Sequence, residues 1–266
     1  MLVTLLFASA LSAAQPTPAQ FQQIGRLIFL AECDGQESAL TSWNNDEDFP
    51  SLGIGHFIWY HERRGPYEES FPKLVEYLEN KGVPMPAWTK GVCPWKSKAA
   101  FDADKSGPRL TELRRLLAST FEHQTAAIIK RREEALPNVL SAAPAHEQAA
   151  LQARLQALSA HPVGLYATID YVNFKGEGLN PSERYPKGSS ALDHGWGLLQ
   201  VLRAMDGRGP ANQQFADACK RVLARRVANA PADRREAERK WLGGWQSRCG
   251  HYGLPTLQAV LTAKGD

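Results

Sequence analysis

The sequence predicts a mainly α-helical protein of the α+β class that carries one small β-hairpin. Apolar residues recur at helical spacing along most of the chain, whereas residues 51–60 combine glycine with aromatic and β-branched residues. The chain has 266 residues, of which 43% are hydrophobic and 22% charged, so it can bury a substantial core. This composition excludes global disorder, and a net charge of +3 gives no reason to expect a nucleic-acid partner.

Residues 1–14 predict an export signal. They form an uncharged apolar run that ends in small residues, with Ser12 and Ala14 at the spacing that signal peptidase favours. Cleavage after Ala14 would leave Gln15 as the first residue of a periplasmic or secreted protein. No later apolar run approaches the ~20 residues that span a bilayer, so we expect no membrane segment in the mature chain. A buried N-terminal helix is the alternative.

The four cysteines, Cys33, Cys93, Cys219 and Cys249, predict disulfide bonds in an exported protein. None of them forms a Cys-x-x-Cys pair of the kind found in zinc or redox sites. Four cysteines allow three connectivities, and the sequence does not choose among them. In a cytosolic protein, buried free thiols would be the better interpretation.

The first helix is predicted to begin after Thr17, whose side chain is suited to cap it, with Pro18 in the first turn. It is expected to end near Glu32. Its apolar residues follow helical spacing: Phe21, Ile24, Leu27, Ile28 and Ala31.

A second helix is predicted from near Pro108 to Pro137, because proline disrupts a helix interior. Residues 61–98 are rich in Pro, Gly and Trp and predict an interruption of the helical pattern. Further helices are expected at residues 146–160, 164–174, 194–206, 211–229 and 231–245.

Glu32 is the first candidate catalytic residue. Positions 21, 25, 28 and 32 share one helix face, so Glu32 is placed on the apolar side. A carboxylate in an apolar wall loses hydration, its pKa rises, and it can act as a general acid. The alternative is a glutamate beyond the helix end that points into water.

A second set of carboxylates follows in the acidic turn formed by Asp46, Glu47 and Asp48, just before the predicted hairpin. Together with the end of the first helix, this turn and the hairpin can enclose a cleft. Cleavage of a glycosidic bond needs one carboxylic acid and one carboxylate, and Glu32 with one residue of the turn would supply both. A solvated surface loop is the alternative interpretation of the turn.

The order of Glu32, the acidic turn and Ser51 before Leu-Gly-Ile-Gly-His56 resembles the phage-type lysozymes of the lysozyme-like superfamily. The resemblance implies that Glu32 is the catalytic glutamate and that Ser51 replaces the threonine that orients the attacking water. The family's aspartate would fall at Asn45, so Glu47, followed by Asp46, is favoured as the second carboxylate.

A second likeness lies at residues 167–178, where Asn173 and Gly176 match the helix and turn on the far side of the lysozyme cleft. Residues 195–200 resemble an element of lytic transglycosylases. The resemblance implies a single lysozyme-like domain at residues 15–266 with an insertion near residues 61–160. The expected substrate-binding residues are His56, Tyr60, Asn173, Tyr185, Trp196 and Gln200.

These observations predict an exported glycoside hydrolase of the muramidase type that cleaves the glycan strand of peptidoglycan. A lytic transglycosylase is one alternative. A chitosanase-like hydrolase is another, because residues 32–79 hold eleven Asp or Glu but only three Lys or Arg and would suit a cationic polymer. A noncatalytic wall-binding protein on the same scaffold is the third.

Other classes of site are not predicted. The histidines lack ligand spacing, so no metal is expected, and no cofactor is implied. No Gly-x-Ser-x-Gly element, phosphate loop or dinucleotide fingerprint occurs, which argues against serine hydrolases and nucleotide enzymes. A minority of the tryptophans is expected in the cleft, with Trp43, Trp59, Trp196, Trp241 and Trp245 as candidates.

Overall fold

A computed structural model describes residues 15–62, 65 and 67–262. The predicted export signal lies outside these residues. The described chain forms twelve α-helices and one three-stranded antiparallel sheet, which confirms the predicted fold class. The helices are α1 Pro18–Cys33, α2 Phe71–Asn80, α3 Lys98–Ala103, α4 Pro108–Ser119, α5 Phe121–Ala142, α6 Ala145–Ser159, α7 Pro162–Lys175, α8 Ala191–His194, α9 Leu198–Ala204, α10 Ala211–Asn229, α11 Ala232–His251 and α12 Pro255–Thr262.

Helix α1 begins and ends as its sequence predicts. The Thr17 hydroxyl accepts a hydrogen bond from the Gln20 amide, and the Gln20 side chain accepts one from the Thr17 amide, so the two residues form a capping box. After Cys33 the chain turns at Asp34, which has a left-handed backbone with a φ of 48°. The helix therefore ends one residue after Glu32.

The small sheet contains β1 Thr41–Ser42, β2 Ser51–Leu52 and β3 Phe57–Ile58, in that order. The predicted hairpin is its β2–β3 pair, with Ser51 opposite Ile58, and β1 is an added strand. A tight turn at residues 53–56 connects β2 to β3. The Ile54 amide in that turn donates to the side chain of Gln124 on α5, which fixes the hairpin tip against the helices.

The helix predicted from Pro108 to Pro137 is two helices, and the prediction of its end is wrong. The chain breaks at Thr120, between α4 and α5, and its hydroxyl donates to the Leu116 carbonyl at 2.8 Å. Pro137 lies inside α5. An interior proline costs about 3 kcal/mol, but the buried neighbours Leu136 and Val139 pack in the core and hold the helix together.

Other helices depart from the predicted bounds. The helix expected at residues 194–206 is divided into α8 and α9 at residues 195–197. The loop after α7 packs closely there, because its Gly176 and Glu177 carbonyls accept from the first amides of α9 and a Cβ on Gly197 would collide with Gly178. Helix α11 extends six residues beyond the predicted end at 245. Helices α2, α3 and α12 were not predicted from the sequence.

Helix α7 is the centre of the core. Residues 163–172 are all buried, and α7 packs against α1, α5, α6, α9, α10 and α12. Because α7 is apolar almost all round, it is an interior helix rather than an amphipathic surface helix. Its C-terminal end opens onto the cleft described below.

The four cysteines are all buried free thiols, the arrangement given above as the alternative to disulfides. The thiols of Cys219 on α10 and Cys249 on α11 are hydrogen-bonding neighbours. Disulfide formation after export stays a prediction. None of the described helices is both long and apolar enough to cross a membrane.

Candidate active site

A cleft of about 670 Å³ lies where the end of α1, the acidic turn, the hairpin, the end of α7 and the inner side of α11 meet. The structure brings most of the predicted site residues to this cleft. Its lining includes the candidate catalytic residues Glu32, Asp46, Glu47 and Ser51 and the candidate binding residues His56, Asn173 and Trp196.

Glu32 is buried at the base of the cleft, as its helical position predicts. Its side chain is 12% exposed and accepts hydrogen bonds at one oxygen from Arg248 (2.8 Å) and Asn173 (3.3 Å). The second oxygen lies 3.4 Å from Nδ1 of His56. Both oxygens therefore have donors, and the interpretation of Glu32 as a residue pointing into water is excluded.

The predicted rise in the pKa of Glu32 is wrong. Burial alone would raise this pKa, but the Arg248 guanidinium and the hydrogen bond and charge of His56 outweigh burial and lower the pKa to about 2. Glu32 is consequently an ionised carboxylate throughout the neutral range. Helical spacing placed Glu32 correctly, but it carries no information on Arg248 and His56, the cations that lower its pKa.

His56 is the cationic partner of Glu32 at the hairpin tip. The turn gives it a left-handed backbone with a φ of 49°. Burial would lower its pKa, but hydrogen bonds with Cys33 and Glu32 and the charge of Glu32 raise the pKa to about 10. Its other ring nitrogen, Nε2, is buried and has no protein partner among the described residues. His56 therefore acts on Glu32 as an imidazolium.

Arg248 joins Glu32 to a second buried carboxylate. Its Nε and Nη2 donate to Asp170 at 2.9 and 2.6 Å, and Nη2 also donates to Glu32. The Tyr252 hydroxyl donates to Asp170 at 2.6 Å. Sequence reasoning assigned no role to these three residues, because they lie on α7, on α11 and just after α11, far along the chain from Glu32.

Glu47 lies in the acidic turn, lines the same cleft and is partly buried. Burial raises its pKa above the ordinary value, and the charge of Glu32 adds to the rise. The Asn44 hydrogen bond (3.0 Å) and the charges of His56 and Lys175 oppose it. The Trp43 indole donates to the Glu47 carbonyl at 2.7 Å and fixes the turn. Glu47 is thus the carboxyl group that holds its proton more readily.

The remaining residues of the turn and hairpin differ in exposure. Asp46 and Asp48 line the cleft with exposed side chains, whereas Ser51 is buried on β2 and borders the same cleft. The structure therefore brings Asp46, Asp48 and Ser51 to the cleft with Glu47.

The end of α7 supplies two further groups. Asn173 donates from Nδ2 to Glu32 and to the Gly55 carbonyl at 3.1 Å, so it connects α1, the hairpin and α7. The Lys175 ammonium lies 3.9 Å from the ring centroids of both Phe174 and Trp245. Burial, with the charges of Arg226 and Arg248, lowers the pKa of Lys175 well below its ordinary value.

Tyr60 and Tyr185, both predicted to bind substrate, are buried behind the cleft wall. Neither lies among the described residues that line the cleft. The Tyr60 hydroxyl accepts from the Tyr67 amide at 3.1 Å, and the Tyr185 hydroxyl donates to Glu238 at 2.9 Å. Their hydroxyls are used within the protein, so we correct both to supporting roles.

Trp196 lines the cleft, whereas Gln200 lies outside its lining. Trp196 is 3% exposed but lines the cleft, with the Arg226 guanidinium 4.0 Å from its ring centroid. Gln200 is buried, and its amide donates to the Gly178 carbonyl at 3.0 Å while its oxygen accepts from the Gly197 amide. Gln200 does not line the cleft in the described structure and instead fixes the loop after α7.

Helix α11 provides a wall of the cleft that includes Trp241 and Trp245, two of the tryptophans named above as candidates for the cleft. Arg234, Trp241 and Trp245 line the cleft, and Glu238 and Arg248 are engaged in ion pairs beside it. The signal for this wall was present in the spacing, because these five positions are three or four residues apart and share one helix face.

Within the described residues, no group of three histidine, cysteine or acidic side chains is arranged to hold a metal ion. Comparisons with protein-family models, curated proteins and solved structures found no match to this chain.

Proposed function

We propose that the protein is a glycoside hydrolase that cleaves the glycan strand of peptidoglycan with Glu32 and Glu47. One observation carries the proposal: two carboxyl groups line the same cleft, and their pKa values shift in opposite directions. Hydrolysis of a glycosidic bond needs such a pair, one group protonated and the other ionised. Such an enzyme meets its substrate outside the cytoplasm, so the proposal includes export.

The two pKa shifts assign the roles. Glu47, with a raised pKa, donates a proton to the leaving glycosidic oxygen. Glu32, ionised beside Arg248 and His56, stabilises positive charge on the sugar or accepts a proton from the attacking water. These roles reverse the ones expected from the sequence. Ser51, which borders the cleft, is the candidate for orienting that water.

The test is release of soluble fragments from purified cell-wall sacculi. We expect Glu47→Gln and Glu32→Gln to lower the rate by about 10²- to 10⁴-fold, the usual contribution of a positioned acid or base. Glu37→Gln, at an exposed glutamate away from the cleft lining, is the matched control and should keep full activity. An inactive wild-type protein, or active variants at both positions, would contradict the proposal.

The products separate two reactions on the same polymer. A hydrolase leaves reducing sugar ends, whereas a lytic transglycosylase leaves anhydro ends, and mass spectrometry distinguishes them. Two essential carboxyl groups favour hydrolysis, and we expect reducing ends.

Chitosan is a second candidate substrate, because the cleft lining is rich in carboxylates. Seven acidic residues line it, against four Lys or Arg. Arg131 pairs with Glu68 inside the lining, Arg226 pairs with Glu238, and Glu32 pairs with Arg248. A polymer of free amino sugars carries positive charge that would complement this lining. A panel of chitosan, chitin and sacculi tests the choice. The acidic residues are Glu32, Asp46, Glu47, Asp48, Glu68, Glu177 and Glu183.

A further inference from the structure

The inner face of α11 has an unusual composition. Its successive positions are Arg234, Glu238, Trp241, Trp245 and Arg248, and none of the five is aliphatic. A helix that packs on a globular core normally presents an apolar stripe to it. Here the face presents two ion-paired residues and three residues that border the cleft. Trp245 packs partly against the core, whereas Trp241 leaves apolar surface on the cleft that a ligand can contact.

Trp241 and Trp245 form the aromatic part of this face. Their ring centroids are 5.8 Å apart with planes tilted by 45°, and both side chains are only partly buried. By contrast, Trp59 and Trp95 are buried in the core. Partly exposed indole rings along a cleft leave a large apolar surface in contact with water, and covering that surface would be favourable.

The ring of Trp245 is held in place by two basic side chains. Lys175 lies 3.9 Å and Arg226 4.7 Å from its centroid. Arg226 is itself held by two hydrogen bonds from its guanidinium to Glu238, each 2.9 Å. These side chains cover part of the Trp245 ring and hold it in place. Trp245 in turn supports the neighbouring ring of Trp241, which therefore loses little conformational freedom when a ligand packs on it.

We infer that Trp241, supported by Trp245, forms a stacking platform for a sugar ring of the polymer, beyond the site of bond cleavage. With a rise of about 1.5 Å per residue, Trp245 and Trp241 lie about 4.5 and 10.5 Å along the α11 axis from Arg248, which holds Glu32. The C–H face of a pyranose ring is apolar and packs on a flat indole. The inference rests on the proposed glycosidase function and adds to it where a further sugar unit lies.

The experiment titrates a Glu47→Gln protein with the hexamer of N-acetylglucosamine and follows the indole N–H resonances by NMR. We expect the Trp241 and Trp245 resonances, assigned with Trp241→Phe and Trp245→Phe, to shift on binding. Trp88 is the control in the same spectrum, because it is partly buried, lies outside the cleft lining and donates to Glu112.

Calorimetry on the same background measures the energetic contribution. Adding Trp241→Ala should weaken hexamer binding about tenfold, as truncation of a well-placed aromatic contact does, and Trp241→Phe should recover most of it. Thermal unfolding checks that the variants fold.

Two outcomes would overturn the platform. The platform is ruled out if the hexamer binds without shifting the Trp241 and Trp245 resonances, or binds with equal affinity after Trp241→Ala. If the wild type still degrades cell walls in that case, the proposed function stands. A wild-type protein that neither binds the hexamer nor degrades sacculi or chitosan would overturn both.

Discussion

Arg248 and Glu32 are 216 residues apart in the sequence and are joined by a 2.8 Å hydrogen bond at the base of the cleft. The same guanidinium nitrogen also donates to Asp170, whose side chain is fully buried. With His56 as an imidazolium, the cluster holds two anions and two cations. Loss of any one of the four charges leaves a net charge in the cluster.

Replacing Arg248 by methionine should cost about 3–5 kcal/mol in the free energy of unfolding, because it leaves the carboxylate of Asp170 buried without its cation. Urea denaturation measures the loss. The matched variant Arg248→Met with Asp170→Asn removes both charges and should recover part of the stability. A single variant within 1 kcal/mol of the wild type would show that the network contributes little.

Stability should fall in acid as Glu32 takes up a proton. Its pKa is about 2 in the folded protein against 4.5 ordinarily, so it contributes about 3 kcal/mol that is fully present above pH 4.5 and lost as pH falls towards 2. Urea unfolding of the wild type and of Glu32→Gln across this range measures the difference. The variant should show a smaller decline, and an equal decline would be evidence against this assignment.

The decline of the unfolding free energy at alkaline pH should reveal the loss of charge on His56. Its pKa is raised from 6.5 to about 10, so its contribution is fully present below pH 6.5 and declines as pH rises through 10. His56→Asn should flatten the dependence of unfolding free energy on pH between these values. His146→Asn, at an exposed histidine, is the control and should leave the wild-type slope. A wild-type slope in His56→Asn would contradict the imidazolium assignment.

Asn44 should lower the pKa of Glu47, the proposed proton donor. Its side chain donates to Glu47 and favours the ionised form, so Asn44→Ala should raise the pKa of Glu47 further. If Glu47 is the acid, the alkaline limb of kcat/KM against pH should move to higher pH. Asn45→Ala, at the next exposed residue of the turn, serves as the control. A shift of the acidic limb to higher pH, with the alkaline limb unchanged, would indicate that Glu47 acts as a base.

Two glycine replacements should have opposite effects on stability. A Cβ at Gly243, on the exposed side of α11, meets open space, so Gly243→Ala should raise the unfolding free energy by about 1 kcal/mol. A Cβ at Gly197 collides with the backbone of Glu177 and Gly178, so Gly197→Ala should be strongly destabilising. Thermal unfolding of the two variants tests this, and destabilisation by Gly243→Ala would indicate that α11 bends there.

The part of the site formed by Glu32, the acidic turn and the hairpin was predictable because these elements are close together in the sequence. Helical spacing placed Glu32 on the buried face, and the acidic turn and hairpin follow within thirty residues. The resemblance to lysozymes added Asn173, which does contact Glu32. The charge state of Glu32 was not predictable, because it depends on Arg248 and on the tertiary position of His56.

Helix bounds were predictable where caps and spacing agreed, as at Thr17 for α1. Helix bounds were not predictable where tertiary packing outweighed the local sequence preference. Pro137 continues inside α5 because its neighbours are buried, and the break at Gly197 depends on the approach of a distant loop. Helix α11 lacks an apolar stripe along its cleft face, so hydrophobic spacing did not predict its extension to Arg248, although its charged and aromatic residues recur at helical spacing.

Because α11 supplies the guanidinium that balances Glu32, the order of synthesis matters. A ribosome has translated the acidic turn, the hairpin and α7 long before residue 248 appears. Until then Glu32 and Asp170 have no Arg248, and the cleft has no tryptophan wall. A chain stalled or cut before that point therefore carries both carboxyl groups proposed for catalysis without the arrangement that sets their protonation.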